Sequence, residues 1–278
     1  MQDGDLFVGE TSAELVQRAL VETDDDIRWD IVRELHRRGG PTELELARRL
    51  LEGGEDEQVL ACDVLGQLGF GRRELGVPPF GTEAAQLIGR ALSSPSHAVQ
   101  HAAVTAAAHL HWETLVEQII GLARSDDAGV RHAVAFALGG RTDDGSVRTL
   151  IALSEDPDDD VRNWATFGLG TQCDRRDELV CDALARRLVD THEETRGEAW
   201  AGLAAKGDQR AFEPVLQSLE GDDLWKLAVE AAGAYAHPAF LPALERWLTR
   251  CEHATDEYLR HLLEDAIIAC RAGALNVS

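Results

Sequence analysis

His97 and His101 stand four residues apart, one helical turn, and His109-Leu110-His111 follows close behind. Two imidazoles at that spacing on one helix face can bind zinc, but a zinc site needs a third ligand placed by the same fold. No H-E-x-x-H phrase supplies an acid, and Cys62, Cys173, Cys181, Cys251 and Cys270 form no CxxC pair. Runs of acids such as Asp24-Asp25-Asp26 and Asp158-Asp159-Asp160 lack the alternating pattern of a calcium loop. G-x-S-x-G, P-loop and dinucleotide phrases are absent from the sequence. No catalytic residue, metal or cofactor is therefore expected. Recognition chemistry is better represented: Trp29, His101, His132, Phe136, Asn163, Phe167 and Trp200 are aromatic or hydrogen-bonding side chains spread at regular intervals, and such residues anchor binding surfaces.

That regularity comes from a repeated ten-residue phrase. Its clearest copies are Val130-Arg131-His132-Ala133-Val134-Ala135-Phe136-Ala137-Leu138-Gly139 and Val161-Arg162-Asn163-Trp164-Ala165-Thr166-Phe167-Gly168-Leu169-Gly170. Weaker copies begin at Ile27, Glu57, Val99, Thr195 and Leu224, with a degenerate one near Tyr258. A period near 31 residues marks an array in which each unit buries its apolar face only by stacking on its neighbours. Each unit reads as two helices separated by an acidic turn, as in Val147–Ser154, the turn at Asp156-Pro157-Asp158, and a second helix ending at Gly170. The expected fold is all-α, a solenoid of seven to eight stacked units with fifteen or sixteen short helices, in one domain spanning 1–278. Within the phrase, positions 1, 4, 5, 8 and 9 are apolar and read as core. Positions 3, 6 and 7 are then left to line the concave face, and these carry the seven residues named above.

The acid runs have a structural role at the start of second helices, where carboxylates cap free N–H groups and meet the positive end of the helix dipole. Arg28, Arg131, Arg162 and Arg196 share phrase position 2. Stacking should bring each beside the acidic turn of a neighbouring unit. Between the copies at Glu57 and Val99 the period stretches to 42 residues, and the surplus is a glycine- and proline-rich insertion, 69–81. Insertions in repeat arrays emerge as loops and often contribute to binding, so Phe70, Arg72, Arg73 and Phe80 are further contact candidates.

The acidic turn followed by Val-Arg-x-x-Ala-x-x-x-Leu-Gly at this period resembles the HEAT-like repeats of the phycobilisome-lyase type. The resemblance runs from about Thr11 to Arg271 and is strongest over Asp126 to Asp208. It implies a scaffold shared by adaptors, chaperone-like lyases and a few enzymes, and so specifies fold more than function. Iron hydroxylases built on such repeats need several His-Glu dipeptides, whereas this chain has only His192-Glu193. Glycosylases of similar build hold DNA on a basic face, whereas this chain carries 50 acidic against 27 basic residues, a net charge of −23. That field repels phosphate backbones and favours basic partners. No apolar run is long enough to span a membrane, the N-terminus lacks the basic start of a signal peptide, and an odd number of unpaired cysteines suits a reducing cytoplasm. The expected function is a cytoplasmic, non-enzymatic scaffold that grips a protein or peptide, with a phycobilin-lyase-like handler of chromophore or client as the alternative.

Overall fold

A computed structural model describes residues 7, 9–69, 80–110, 113–251 and 256–276. Among them there are sixteen α-helices and no strand. The chain forms two compact units, 1–137 and 138–278. The first holds α1 (Ser12–Val21), α2 (Asp25–Arg38), α3 (Pro41–Leu50), α4 (Glu55–Gly66), α5 (Gly81–Ala91), α6 (His97–Leu110) and α7 (Val116–Gly121), and α8 (Ala128–Leu138) closes it. The second holds α9 (Asp144–Leu153), α10 (Asp159–Phe167), α11 (Glu178–Arg186), α12 (Glu193–Ala205), α13 (Phe212–Glu220), α14 (Lys226–Tyr235), α15 (Leu241–Arg250) and α16 (Glu257–Asn276). Every even-numbered helix carries one copy of the phrase. In the first unit α2 packs on α4 and α4 on α6; in the second α10, α12, α14 and α16 pack in succession, each also covered by an odd-numbered partner.

The acidic turns start these helices as their chemistry dictates. Asp24 accepts from the N–H groups of Asp26 and Ile27, Asp127 from Val130 at 2.9 Å, and Asp158 from Asp160 and Val161, both at 3.1 Å. Small residues then allow close approach between successive even helices. A Cβ added at Gly66 would lie 3.0 Å from the Ala106 Cα, one at Gly168 3.3 Å from the Gly139 Cα, and one at Gly202 2.5 Å from the Gly170 Cα. In all three contacts phrase position 10 of one helix meets position 8 of the next, so the register of the stack is written in glycine and alanine.

The core follows the phrase with corrections at positions 6 and 4. Val130, Leu138, Val161, Ala165 and Leu169 are fully buried, as positions 1, 5 and 9 require. Position 6 is also core: Val32, Cys62, Val104, Ala135, Thr166 and Val229 there are all buried. A helix wedged between two others as well as its own partner keeps only a narrow outer stripe. Positions 3 and 7, about 40° apart at about 100° per residue, form it. Position 4 is mixed, buried at Leu60 and Ala133 and half-buried at Trp164 and Glu198.

The position-2 arginines also make a contact that was not expected, beside the neighbouring acidic turn that Arg162 does reach. Arg131, Arg162 and Arg196 each turn Nη1 back onto two carbonyls of their own preceding turn: Ser125 and Asp126, Asp156 and Pro157, Asp190 and Thr191. Gln100 does the same to Ser94 at 2.8 Å. These side chains satisfy carbonyls that the end of the preceding helix leaves open. Arg162 also reaches the next unit's turn, donating from Nε and Nη2 to the Asp190 carboxylate at 3.1 and 3.0 Å. Arg28 goes elsewhere, to Asp63 on α4.

A candidate binding cleft in the first unit

Trp29 sits at phrase position 3 of α2, facing away from the buried Ile31, Val32 and Leu35, and is 43% exposed. His101 holds position 3 on α6 and is likewise exposed, while Thr105 at position 7 is half-buried. Between them runs α4, which presents Val59 and Asp63 at the same two positions. Trp29, Val59, Asp63, His101 and Thr105 line one open cleft of ≈ 520 Å³, within the size range of small-ligand sites. The buried Ala102 adds an apolar wall, and Asp127 at the start of α8 adds a second carboxylate to the lining.

Arg28 and Asp63 organise this cleft electrostatically. Arg28 Nη2 donates to Asp63 Oδ2 at 2.7 Å, and the guanidinium carbon lies 5.8 Å from the Trp29 ring centroid. Burial pushes the Asp63 carboxyl above its ordinary range although Arg28 opposes the shift. Beneath it, His36 Nε2 donates to the Asp63 carbonyl at 2.8 Å and is itself buried, which lowers its pKa. At the rim, His97 Nε2 lies 2.9 Å from Asp126 Oδ1. No group of three potential metal ligands occurs among the described residues.

Of the sequence candidates, Trp29 and His101 share this cleft. His132 and Phe136 lie on α8, both half-buried, with Phe136 edge-on to His109 at 6.2 Å. Asn163, Phe167 and Trp200 belong to the second unit and are also half-buried. There Phe167 meets Trp164 edge-on at 5.7 Å, and Asn163 Oδ1 and Trp200 Nε1 are buried without hydrogen-bond partners among the described residues. Trp200 occupies position 6, where every other copy carries a buried, smaller side chain. Phe80 opens α5 in a left-handed conformation, φ 67°; Phe70, Arg72 and Arg73 lie outside the described residues. Asp63 and Asp127 were not singled out by sequence. Reading the weak copy at Glu57 in the same register as Phe136 would have placed Asp63 on the outer stripe.

The model for HEAT repeats matches residues 84–170 and 147–232, together more than half of the chain. Similar folds occur in solved structures. YibA of Escherichia coli aligns with a TM-score of 0.73 at 24% identity, covering 94% of this chain and 93% of its own. An engineered protein aligns at 0.53 and 18% identity, over 93% and 78%. Importin beta aligns at 0.56 and 14% identity, over 92% of this chain and 42% of its own. At these identities the likeness concerns the fold. No match is found among curated proteins. With sixteen helices in repeating pairs and that family match, the fold is the all-α solenoid class and the chain belongs to the HEAT-repeat family.

Proposed function

We propose that this protein is a non-enzymatic interaction scaffold that grips a segment of a basic partner protein or peptide along phrase positions 3 and 7 of its even-numbered helices. The observation that carries this reading is the cleft in which Trp29 and His101, from α2 and α6, face the same open space. An exposed tryptophan beside apolar walls and a few polar groups is the composition of a binding hot spot. In this reading His132 and Phe136 offer further contacts on α8, Asn163, Phe167 and Trp200 offer contacts within the second unit, and Phe70, Arg72, Arg73 and Phe80 contribute from the insertion. The net charge of −23 suits a basic partner and disfavours nucleic acid. Buried thiols at Cys62, Cys173, Cys181 and Cys270 suit a cytoplasmic location.

The test is a photo-crosslinking residue at position 29, with position 45 on the exposed face of α3 as control. A discrete crosslinked species formed from 29 and absent from 45 supports the reading. Equal, diffuse labelling from both contradicts it. A phycobilin-lyase-like activity is the second reading, favoured by the Val-Arg-x-x-Ala-x-x-x-Leu-Gly phrase alone; transfer of a bilin to a cysteine-bearing acceptor would establish it.

A further inference from the structure

The cleft holds more information than an aromatic anchor. Its tryptophan stands against two carboxylates, Asp63 and Asp127, and two alanine-bearing turns of α6. The one guanidinium in the lining, Arg28, is committed to Asp63 at 2.7 Å. That leaves a lining with an indole face, an aliphatic wall, the imidazoles of His97 and His101, and two carboxylates against one guanidinium. The surrounding chain, at net charge −23, draws cations toward it. An acidic side chain would meet like charge from Asp127 there, and a neutral one would forgo the attraction. A side chain with a long aliphatic stem and a planar cationic head satisfies the indole, the aliphatic wall and the carboxylates.

We infer, resting on the scaffold reading above, that the cleft takes an arginine side chain from a basic partner peptide. Its guanidinium meets the Asp127 and Asp63 carboxylates and its stem lies against Trp29. Arginine is favoured over lysine because a guanidinium is planar, stacks on an indole and pairs with a carboxylate through two donors, whereas an ammonium is a strongly hydrated point charge. The Arg28 guanidinium near the Trp29 ring already displays this pairing of groups within the protein. The inner carboxylate adds to the case, since burial raises the Asp63 pKa against the opposing influence of Arg28 and His101, and a further cation would stabilise its charged form.

The experiment is an NMR titration of protein labelled with ¹⁵N at its six tryptophans, the Trp29 indole signal being assigned with Trp29→Phe. N-acetyl-arginine amide should shift that signal saturably. The citrulline analogue, equal in shape and uncharged, should bind at least fivefold more weakly, and so should N-acetyl-lysine amide. Asp127→Asn, which keeps a capping oxygen for Val130, should weaken arginine binding at least threefold while leaving the other five indole signals in place. An unmoved Trp29 signal, equal binding of citrulline or lysine, or an unchanged affinity in Asp127→Asn each overturns the inference. If crosslinking from position 29 still captures a partner in that case, arginine recognition falls and the scaffold reading stands. If both fail, the cleft is not a recognition site.

Discussion

Arg162 ties the turn before its own helix to the turn before the next one, holding the Asp190 carboxylate through both Nε and Nη2 while Nη1 caps Asp156 and Pro157. Its side chain is 10% exposed and that of Asp190 5%. An ion pair this sheltered costs much to break from one side, because the abandoned charge stays buried. Arg162→Ala or Asp190→Ala should each lower unfolding free energy by about 3 kcal/mol, and the double variant should lose clearly less than the two together. Burial raises the Asp190 pKa, but the bonds from Arg162 and the His192 N–H outweigh it and the net shift is downward. The stabilisation is therefore complete above the ordinary carboxylate value of 3.8 and is lost as pH falls through the lower folded value. Urea melts over a pH series descending from 7 should show a constant gap between the wild type and Asp190→Ala down to 3.8, narrowing only below it.

Glycine spacing sets the stack in the second unit. A Cβ on Gly202 would lie 2.5 Å from the Gly170 Cα, with backbone rather than a flexible side chain in the way. Gly202→Ala should cost about 3 kcal/mol by forcing α12 away from the Gly170 backbone that follows α10. At Gly121, which ends α7, a Cβ meets nothing within 4 Å. Gly121→Ala should be neutral or stabilise by about 0.5–1 kcal/mol. Thermal denaturation of the pair separates the cost of the contact from a general effect of glycine removal.

Glu198 on α12 is the opposite case to Asp190. Burial, then the neighbouring Glu230, pushes its carboxyl up to about 7, and Oε2 is buried without a hydrogen-bond partner among the described residues. A carboxyl raised in the folded state favours folding while protonated. That advantage is full below the ordinary value of 4.5 and is lost as pH rises to about 7. Allowing for its partial exposure, ionisation costs about 1–2 kcal/mol. Glu198→Gln should therefore match the wild type near pH 4.5 and exceed its stability by that amount at pH 8. A constant difference across this range would show that Glu198 does not titrate there.

How much of this was legible beforehand depended on what repeats. The even-numbered helices, their acidic caps and the buried Leu138 and Leu169 follow from a phrase seen several times over, which averages out local accidents. Position 6 escaped because its residues, from Val32 and Cys62 to Thr166 and Trp200, span apolar, polar and aromatic types. Only the third helix packed against each even helix makes it core. The pairing of Arg162 with the next acidic turn was legible, but the Nη1 contacts of the arginines escaped, since a carbonyl five or six residues upstream carries no sequence signature. The cleft was half legible: Trp29 and His101 stand out by type, whereas Asp63 becomes a lining residue only when α4 is placed between α2 and α6.

The outer stripe of the first unit, in the proposed function, binds a partner rather than supporting the fold. The most direct measurement takes melting temperature and partner affinity on the same Trp29→Ala, His101→Ala variant. Trp29 is 43% exposed and His101 is exposed as well, so the melting temperature should fall by no more than about 2–3 °C. Affinity for the partner crosslinked from position 29 should drop at least 30-fold, the loss of about 2 kcal/mol expected of a true anchor. A variant that melts far lower yet binds its partner undiminished while folded would contradict the account.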